Sequence, residues 1–239
     1  HASRAMTDVL FVTSEYDPYV IKQDSLASGL FPDIVKAAFH ELNVDVKFEF
    51  QPWKRCEISI KEGRAYAAFP YLINKQRAAA FNFSAPVINF YPKFFYKKSN
   101  FPSGFEWSDL NDFKPYILGG VQGYWYKSSF QKAGLMTQYV TTDIQNINKL
   151  IRDRIDFTLI DELVGWDLLN DAYSGQVSDF AVAKKPESSD TFHLMISRKY
   201  PRAKELTSTF NKGLNLIKKN SEYQKILNKY KMSENYSVP

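Results

Sequence analysis

The chain has 239 residues, of which 44% are hydrophobic and 16% aromatic. That is enough apolar surface to offset chain entropy, which excludes a disordered protein and allows one large domain or two lobes. The net charge of +5 is scattered over pairs such as Lys97-Lys98, Lys184-Lys185 and Lys218-Lys219, with no basic block and no nucleic-acid motif, so nucleic acid is not an expected partner. One cysteine, Cys56, and three scattered histidines, His1, His40 and His193, exclude an internal disulfide and a zinc site, and no metal or cofactor is expected.

No apolar stretch is long enough to span a bilayer. The opening His1-Ala2-Ser3-Arg4-Ala5-Met6 reads as a trimmed leader junction or an added tag and is set aside from fold reasoning. Val9-Leu10-Phe11-Val12-Thr13 is a β-prone apolar run, a buried strand, which Asp17-Pro18 breaks into a loop. Pro32-Asp33 opens a helix with Ile34, Val35, Ala38, Phe39 and Leu42 on its apolar face. Val44 to Phe50 alternates as a second strand. Trp53, Cys56 and Ile60 recur at helical spacing, Gly63 stops that helix, and Ala65 to Phe69 forms a third strand. The order β-α-β-α-β implies a parallel sheet flanked by helices. Ser84-Ala85-Pro86 closes this unit, and Pro92 to Lys98 is extended and rich in aromatics.

A second α/β unit follows. Tyr116 to Leu118 is a strand, Gly119-Gly120-Val121-Gln122-Gly123 a turn, and Tyr124 to Ala133 a helix ending at Gly134. Gln138 to Val140 is a strand, and Thr142 with Gln145 makes a capping box for a helix to Arg152. Asp156 to Asp161 is a strand, Glu162 to Ala172 a helix, and Val177 to Ala183 a last strand. Phe192 to Ser197 is extended again. One helix then runs from near Pro201 toward Asn220, and another, with a Ser221 and Gln224 capping box, ends near Lys231. The extended runs near 92–98 and 186–197 are candidate crossings between two lobes, a layout that permits hinge closure.

Loops after the carboxyl ends of parallel strands face the ligand crevice of an open α/β sheet. Tyr16 and Tyr19 follow the first strand, where they either stack on a ligand or cover the core edge. Arg77 follows the third strand together with Phe69 and Tyr71; a guanidinium there grips a carboxylate through paired bonds. The glycine-rich turn holding Gln122 and Gly123, just before Tyr124, offers backbone N–H groups to an anion, and it lacks the Lys-Ser/Thr ending of a phosphate-binding loop. Asp161 ends a strand, placed to meet an ammonium group, to cap the next helix, or to do both.

The order and spacing of these pieces resemble the family-3 extracellular solute-binding proteins over about residues 8 to 231. The pieces are Tyr16-Asp17-Pro18-Tyr19, Gly29 with Phe31-Pro32-Asp33-Ile34, Pro52-Trp53-Lys54-Arg55, Gly63, Arg77, Phe83-Ser84-Ala85-Pro86 and Phe210-Asn211-Lys212-Gly213-Leu214 with Tyr223 and Lys229-Tyr230. The resemblance implies an α/β, two-lobed type 2 periplasmic-binding-protein fold with two crossover segments forming a hinge. Lobe one would hold residues 8–96 and 189–235, and lobe two residues 97–188. It implies that Arg77 binds a ligand carboxylate, Asp161 an α-amino group, Tyr16 and Trp53 the two faces of the ligand, and Gln122-Gly123 the carboxylate. Phe69, Tyr71 and Tyr124 complete the expected lining.

Two positions depart from the family pattern: Leu72 stands where Ser or Thr is usual, and Tyr66 where Asp often stands. The expected function is capture of a small polar, amino-acid-like ligand by a monomer exported to the periplasm, its signal removed, and delivery to a membrane ABC transporter permease. No catalytic residue and no enzyme activity are expected. The alternatives are a cyclohexadienyl-dehydratase-like enzyme using Asp161 or Glu162 as acid, and a free sensory ligand-binding protein.

Overall fold

The computed structural model describes residues 8–232 and 234–239; the leader-like opening lies outside them. The chain forms two compact units, the first ending at Phe90 and resuming over Asp190–Pro239, the second spanning Tyr91–Ser189.

In chain order the first unit begins with β1 (Val9–Thr13), a hairpin of β2 (Ile21–Gln23) and β3 (Leu26–Ser28), and α1 (Leu30–His40). It continues with β4 (Val46–Phe50), α2 (Trp53–Lys61), β5 (Ala67–Tyr71), α3 (Lys75–Ala80), β6 (Asn82–Phe83) and β7 (Ile88–Phe90). The second unit holds β8 (Pro92–Lys97), β9 (Ile117–Val121), α4 (Lys127–Lys132), β10 (Met136–Val140), α5 (Asp143–Ile151), β11 (Phe157–Asp161), α6 (Glu162–Ala172) and β12 (Phe180–Val182). The chain then returns through β13 (Asp190–Ile196), α7 (Ala203–Lys219) and α8 (Glu222–Lys229) to the first unit.

The first sheet runs β4-β1-β5-β13-β6, with β7 also paired to β13. Its three leading strands are parallel, as the β-α-β-α-β order requires, and β13 is antiparallel to β5. Alternate residues of β1 serve opposite faces. Phe11 packs edge-on against Phe39 of α1 at 5.8 Å between ring centres, while Val12 joins Cys56 and Ile60 of α2. Burying one such ring contributes roughly 1.5–3 kcal/mol.

The second sheet runs β10-β9-β11-β8-β12, with β10, β9 and β11 parallel and β8 antiparallel to both of its neighbours, β11 and β12. Here the structure differs from the sequence reading. Pro92–Lys97 is an inner strand of this sheet, paired to β11 on one side and β12 on the other, and the extended look of the segment reflects that pairing.

Three further expectations are corrected. Gly119 and Gly120 lie inside β9 and not in the turn. A side chain at Gly119 would run into Ile155 and Asn146, and one at Gly120 would come within 2.7 Å of the Tyr139 ring, so close packing and not a bend demands these glycines. The helix after the turn begins at Lys127, later than expected. The Ser221 and Gln224 capping box does not form. Ser221 takes a left-handed conformation at φ 69° and Asn220 Oδ1 accepts from the Glu222 N–H at 3.1 Å in its place. The other expected box does form in part as read, with Gln145 Oε1 accepting from the Thr142 N–H at 3.1 Å.

Candidate functional site

In the first unit the carboxyl ends of β1, β4 and β5 lie along one edge of the sheet. The loop after β1 brings Tyr16 there, stacked on the buried Tyr19 at 5.6 Å. Trp53, the first residue of α2, meets Tyr16 edge-on at 6.5 Å and Tyr71 edge-on at 5.6 Å. The Arg77 guanidinium lies 4.9 Å from the centre of the Tyr71 ring and donates from Nη1 to the Leu72 carbonyl at 2.9 Å. Tyr16, Trp53, Tyr71 and Arg77 therefore form one continuous row. Asn74 Oδ1 accepts from the Arg77 N–H at 2.7 Å, capping the short helix that carries the arginine.

Phe69 belongs elsewhere. Its ring is fully buried and lies parallel to Phe31 of α1 at 5.3 Å, so it is a core residue and its expected place in the lining is corrected. Strict alternation would put Phe69 and Tyr71 on one face. The pairing of β5 with β13 shifts register between His193 and Met195, which match Tyr71 and Ala68, so β5 carries an extra residue. That bulge turns Tyr71 to the α2 face beside Cys56.

The departures from the family pattern now have local accounts. The Leu72 side chain offers no hydroxyl, but its backbone carbonyl orients the guanidinium. Tyr66 is fully buried and hydrogen-bonds the Thr207 hydroxyl at 2.8 Å, tying β5's approach to α7.

In the second unit the carboxyl ends of β10, β9 and β11 again share an edge. Gln122 and Gly123 are exposed in the turn after β9, with Gly123 at φ 83°. The Gln122 N–H is already given to the Val140 carbonyl at 2.9 Å, which leaves Gly123 as the backbone donor this turn can offer. Tyr124 stacks on the exposed Trp125 at 5.7 Å and donates its hydroxyl to Asp143 Oδ2 at 2.8 Å. Burial raises the Tyr124 phenol above its usual range, and the adjacent Asp143 charge raises it further.

Asp161 is fully buried. Its Oδ2 accepts from the N–H groups of Leu163 at 3.1 Å and Val164 at 3.2 Å, capping α6, and its Oδ1 accepts from the Tyr91 N–H at 3.2 Å. The capping role read from the sequence is thus present in full.

Asp143 carries no mark in the sequence beyond standing behind the N-cap Thr142, and sequence reasoning passes over it. Burial pushes its carboxyl up to about 6, against a smaller lowering by the Tyr124 hydroxyl. Trp125 was equally unmarked; its indole N–H donates to Glu187 Oε2 at 3.2 Å. Among the described residues no group of three metal-binding side chains occurs, and no helix is long and apolar enough to cross a membrane.

Two α/β units built on parallel strands, with the chain passing twice between them, define a two-lobed binding-protein fold. The model of the bacterial extracellular solute-binding proteins, family 3, matches residues 9–233, and the chain belongs to that family. No curated protein matches the sequence. Among solved structures it is similar to a histidine kinase sensor domain related to periplasmic binding proteins, with TM-score 0.78, 15% identity, and coverage of 97% of this chain and 98% of that one. It is similar to a histidine-bound substrate-binding protein of an ABC uptake transporter from Streptococcus pneumoniae, with TM-score 0.77, 17% identity, and coverage of 97% and 95%. It is also similar to the arginine-, lysine-, histidine-binding protein of Geobacillus stearothermophilus, with TM-score 0.74, 16% identity, and coverage of 95% and 97%. At these identities the likeness defines the type 2 periplasmic-binding-protein fold.

Proposed function

We propose that the protein captures a small, polar, amino-acid-like ligand outside the cytoplasm, in the periplasm, and hands it to an ABC transporter permease. The observation that carries this reading is the family match, which spans both units. The ligand's carboxylate goes to Arg77, held over Tyr71 and aimed by the Leu72 carbonyl. Its body lies against Tyr16 and Trp53. The second unit supplies the Gly123 N–H and an acidic edge that includes Asp161. The two passages of chain at 90–91 and 189–190 let the units draw together as a monomer captures ligand, because contacts made to both favour the closed state. Neighbours on the same fold that bind arginine, lysine or histidine support an amino-acid ligand.

We infer binding and not catalysis. The two acids a dehydratase would use are otherwise engaged. Asp161 is held by three backbone N–H groups, and Glu162 is paired to Lys93 at 2.7 Å. The Cys56 thiol, pushed up to about 12 by burial, is no nucleophile at neutral pH. The likeness to a kinase sensor domain favours one second reading, a free binder that signals to a receptor.

Mass spectrometry of small molecules released on denaturing gently purified protein, followed by a thermal-shift panel of amino acids, tests the reading. A released amino acid that also raises the Tm upholds it. A protein that carries and is stabilised by no small polar molecule overturns it.

A further inference from the structure

Among the described residues, three buried polar atoms in the stretch from β10 into α5 have no hydrogen-bond partner: the Tyr139 hydroxyl, Asp143 Oδ1 and Asn146 Oδ1. Only Asp143 of these carries a charge. It opens α5 directly after the carboxyl end of β10, on the sheet edge that also presents Gln122, Tyr124 and Asp161. One of its oxygens accepts from the Tyr124 hydroxyl at 2.8 Å, and the other accepts nothing.

A carboxylate has about four acceptor positions, and leaving both positions of one oxygen empty in a shielded place is costly. An unsatisfied buried group calls for an explanation, and a use for the empty positions is one. Asp161, the acid that the sequence marked, is the opposite case, since three backbone N–H groups already share its two oxygens. The acid at this edge with room for a donor is Asp143. The residue as a whole is half-buried, while Oδ1 itself is shielded.

We propose that Asp143 is the residue of the second unit that receives the ligand's positively charged N–H donor, with Tyr124 as a positioning residue that holds one oxygen and leaves the other free to accept. This deepens the solute-binding reading and rests on it. The ligand class is a carboxylate that also carries an ammonium or comparable nitrogen cation. That cation is either the α-amino group or a side-chain terminus. The burial that lifts the Asp143 carboxyl fits the same picture, because an incoming cation offsets the cost of desolvating the charged form.

The test uses the full chain at pH 8, where Asp143 is ionised, with four probes measured by calorimetry. L-glutamine carries only the α-ammonium, 6-aminohexanoate only a terminal one, L-lysine both, and succinate neither. The wild type should bind at least one ammonium-bearing probe, and Asp143→Asn should weaken that probe by about 10- to 100-fold, the range for a charge-assisted bond. Loss confined to glutamine and lysine assigns the α-amino group; loss confined to 6-aminohexanoate and lysine assigns the side-chain cation. In Tyr124→Phe the Asp143 carboxyl, followed by carbon NMR, should titrate at higher pH than in the wild type, and affinity for the same probe should fall. Undiminished binding by Asp143→Asn, or an unmoved titration in Tyr124→Phe, overturns the assignment while leaving the protein a solute binder. Should no probe bind the wild type and no small molecule be released from it, the solute-binding reading falls and the assignment falls with it.

Discussion

The two sheet edges are built from opposite chemistry. The first unit presents a row of aromatic rings ending in one cation, Arg77, steadied by a ring face and a backbone carbonyl. The second presents acids at successive strand ends, one of them tied down by backbone N–H groups and the other held by a single phenol. The comparison also separates two kinds of buried acid. Asp161 is stabilised where it stands, whereas Asp143 is kept at a cost.

That comparison can be broken at several points. The largest expected effect is on binding. Arg77→Ala should weaken carboxylate ligands by about 100-fold or more, on the order of 3 kcal/mol, because a charge-assisted contact has no replacement nearby. Calorimetry with the released ligand checks this, and unchanged affinity removes Arg77 from the site. Next, Asp161→Asn should lower stability by about 1–3 kcal/mol, since the buried carboxylate accepts three backbone N–H bonds and the amide brings two donors of its own. Its effect on affinity should be alike for ligands with and without an amine. A selective loss of amine-bearing ligands would return to Asp161 the role now given to Asp143.

Asp143→Asn should act in the other direction on stability. The folded carboxyl titrates at about 6, above its ordinary value of 3.8, so the ionised form is penalised in the fold. A raised acid contributes stability that is fully present below the unfolded value and is lost as pH rises through the folded one. The isosteric amide should therefore raise stability at pH 8 by about 1–3 kcal/mol, and the gain should vanish toward pH 4. Denaturant titrations at the two pH values measure it; a variant destabilised at pH 8 would mean that the carboxylate is not held at a cost.

The first unit carries a titrating group of opposite sign. His193 Nδ1 donates to the Ser84 carbonyl at 2.8 Å, and its Nε2 shares a hydrogen bond with the Thr191 hydroxyl at 2.7 Å. Burial lowers its pKa below the ordinary 6.5, so its contribution is complete above pH 6.5 and declines as acid charges the unfolded chain first. Proton NMR of the ring should show titration below pH 6.5. A His193 that titrates above that value would remove the contrast. This is the smallest of the effects.

Much of the scaffold was legible in the residues. Val9–Thr13 and Glu162–Ala172 form as read, because a β-branched apolar run and a well-marked helix start are local signals that tertiary contacts only reinforce. Tyr16 and Arg77 were singled out by a rule about strand ends and Trp53 by the family resemblance, and the structure brings them together with Tyr71. The glycines of β9 misled for a physical reason. A glycine that bends the chain and one that makes room for Tyr139 look the same in one dimension.

By itself the sequence determined two parallel-stranded α/β units, because periodicity and chain order encode these directly, and its motifs carried the resemblance to a family. Only the tertiary structure decided which side of β5 each aromatic takes, since the bulge that parts Phe69 from Tyr71 exists through pairing with β13, more than a hundred residues away. It alone decided, too, which acid keeps an open oxygen. Asp161 and Asp143 both stand at strand ends beside helix starts, and what separates them is how many backbone N–H groups the fold turns toward each.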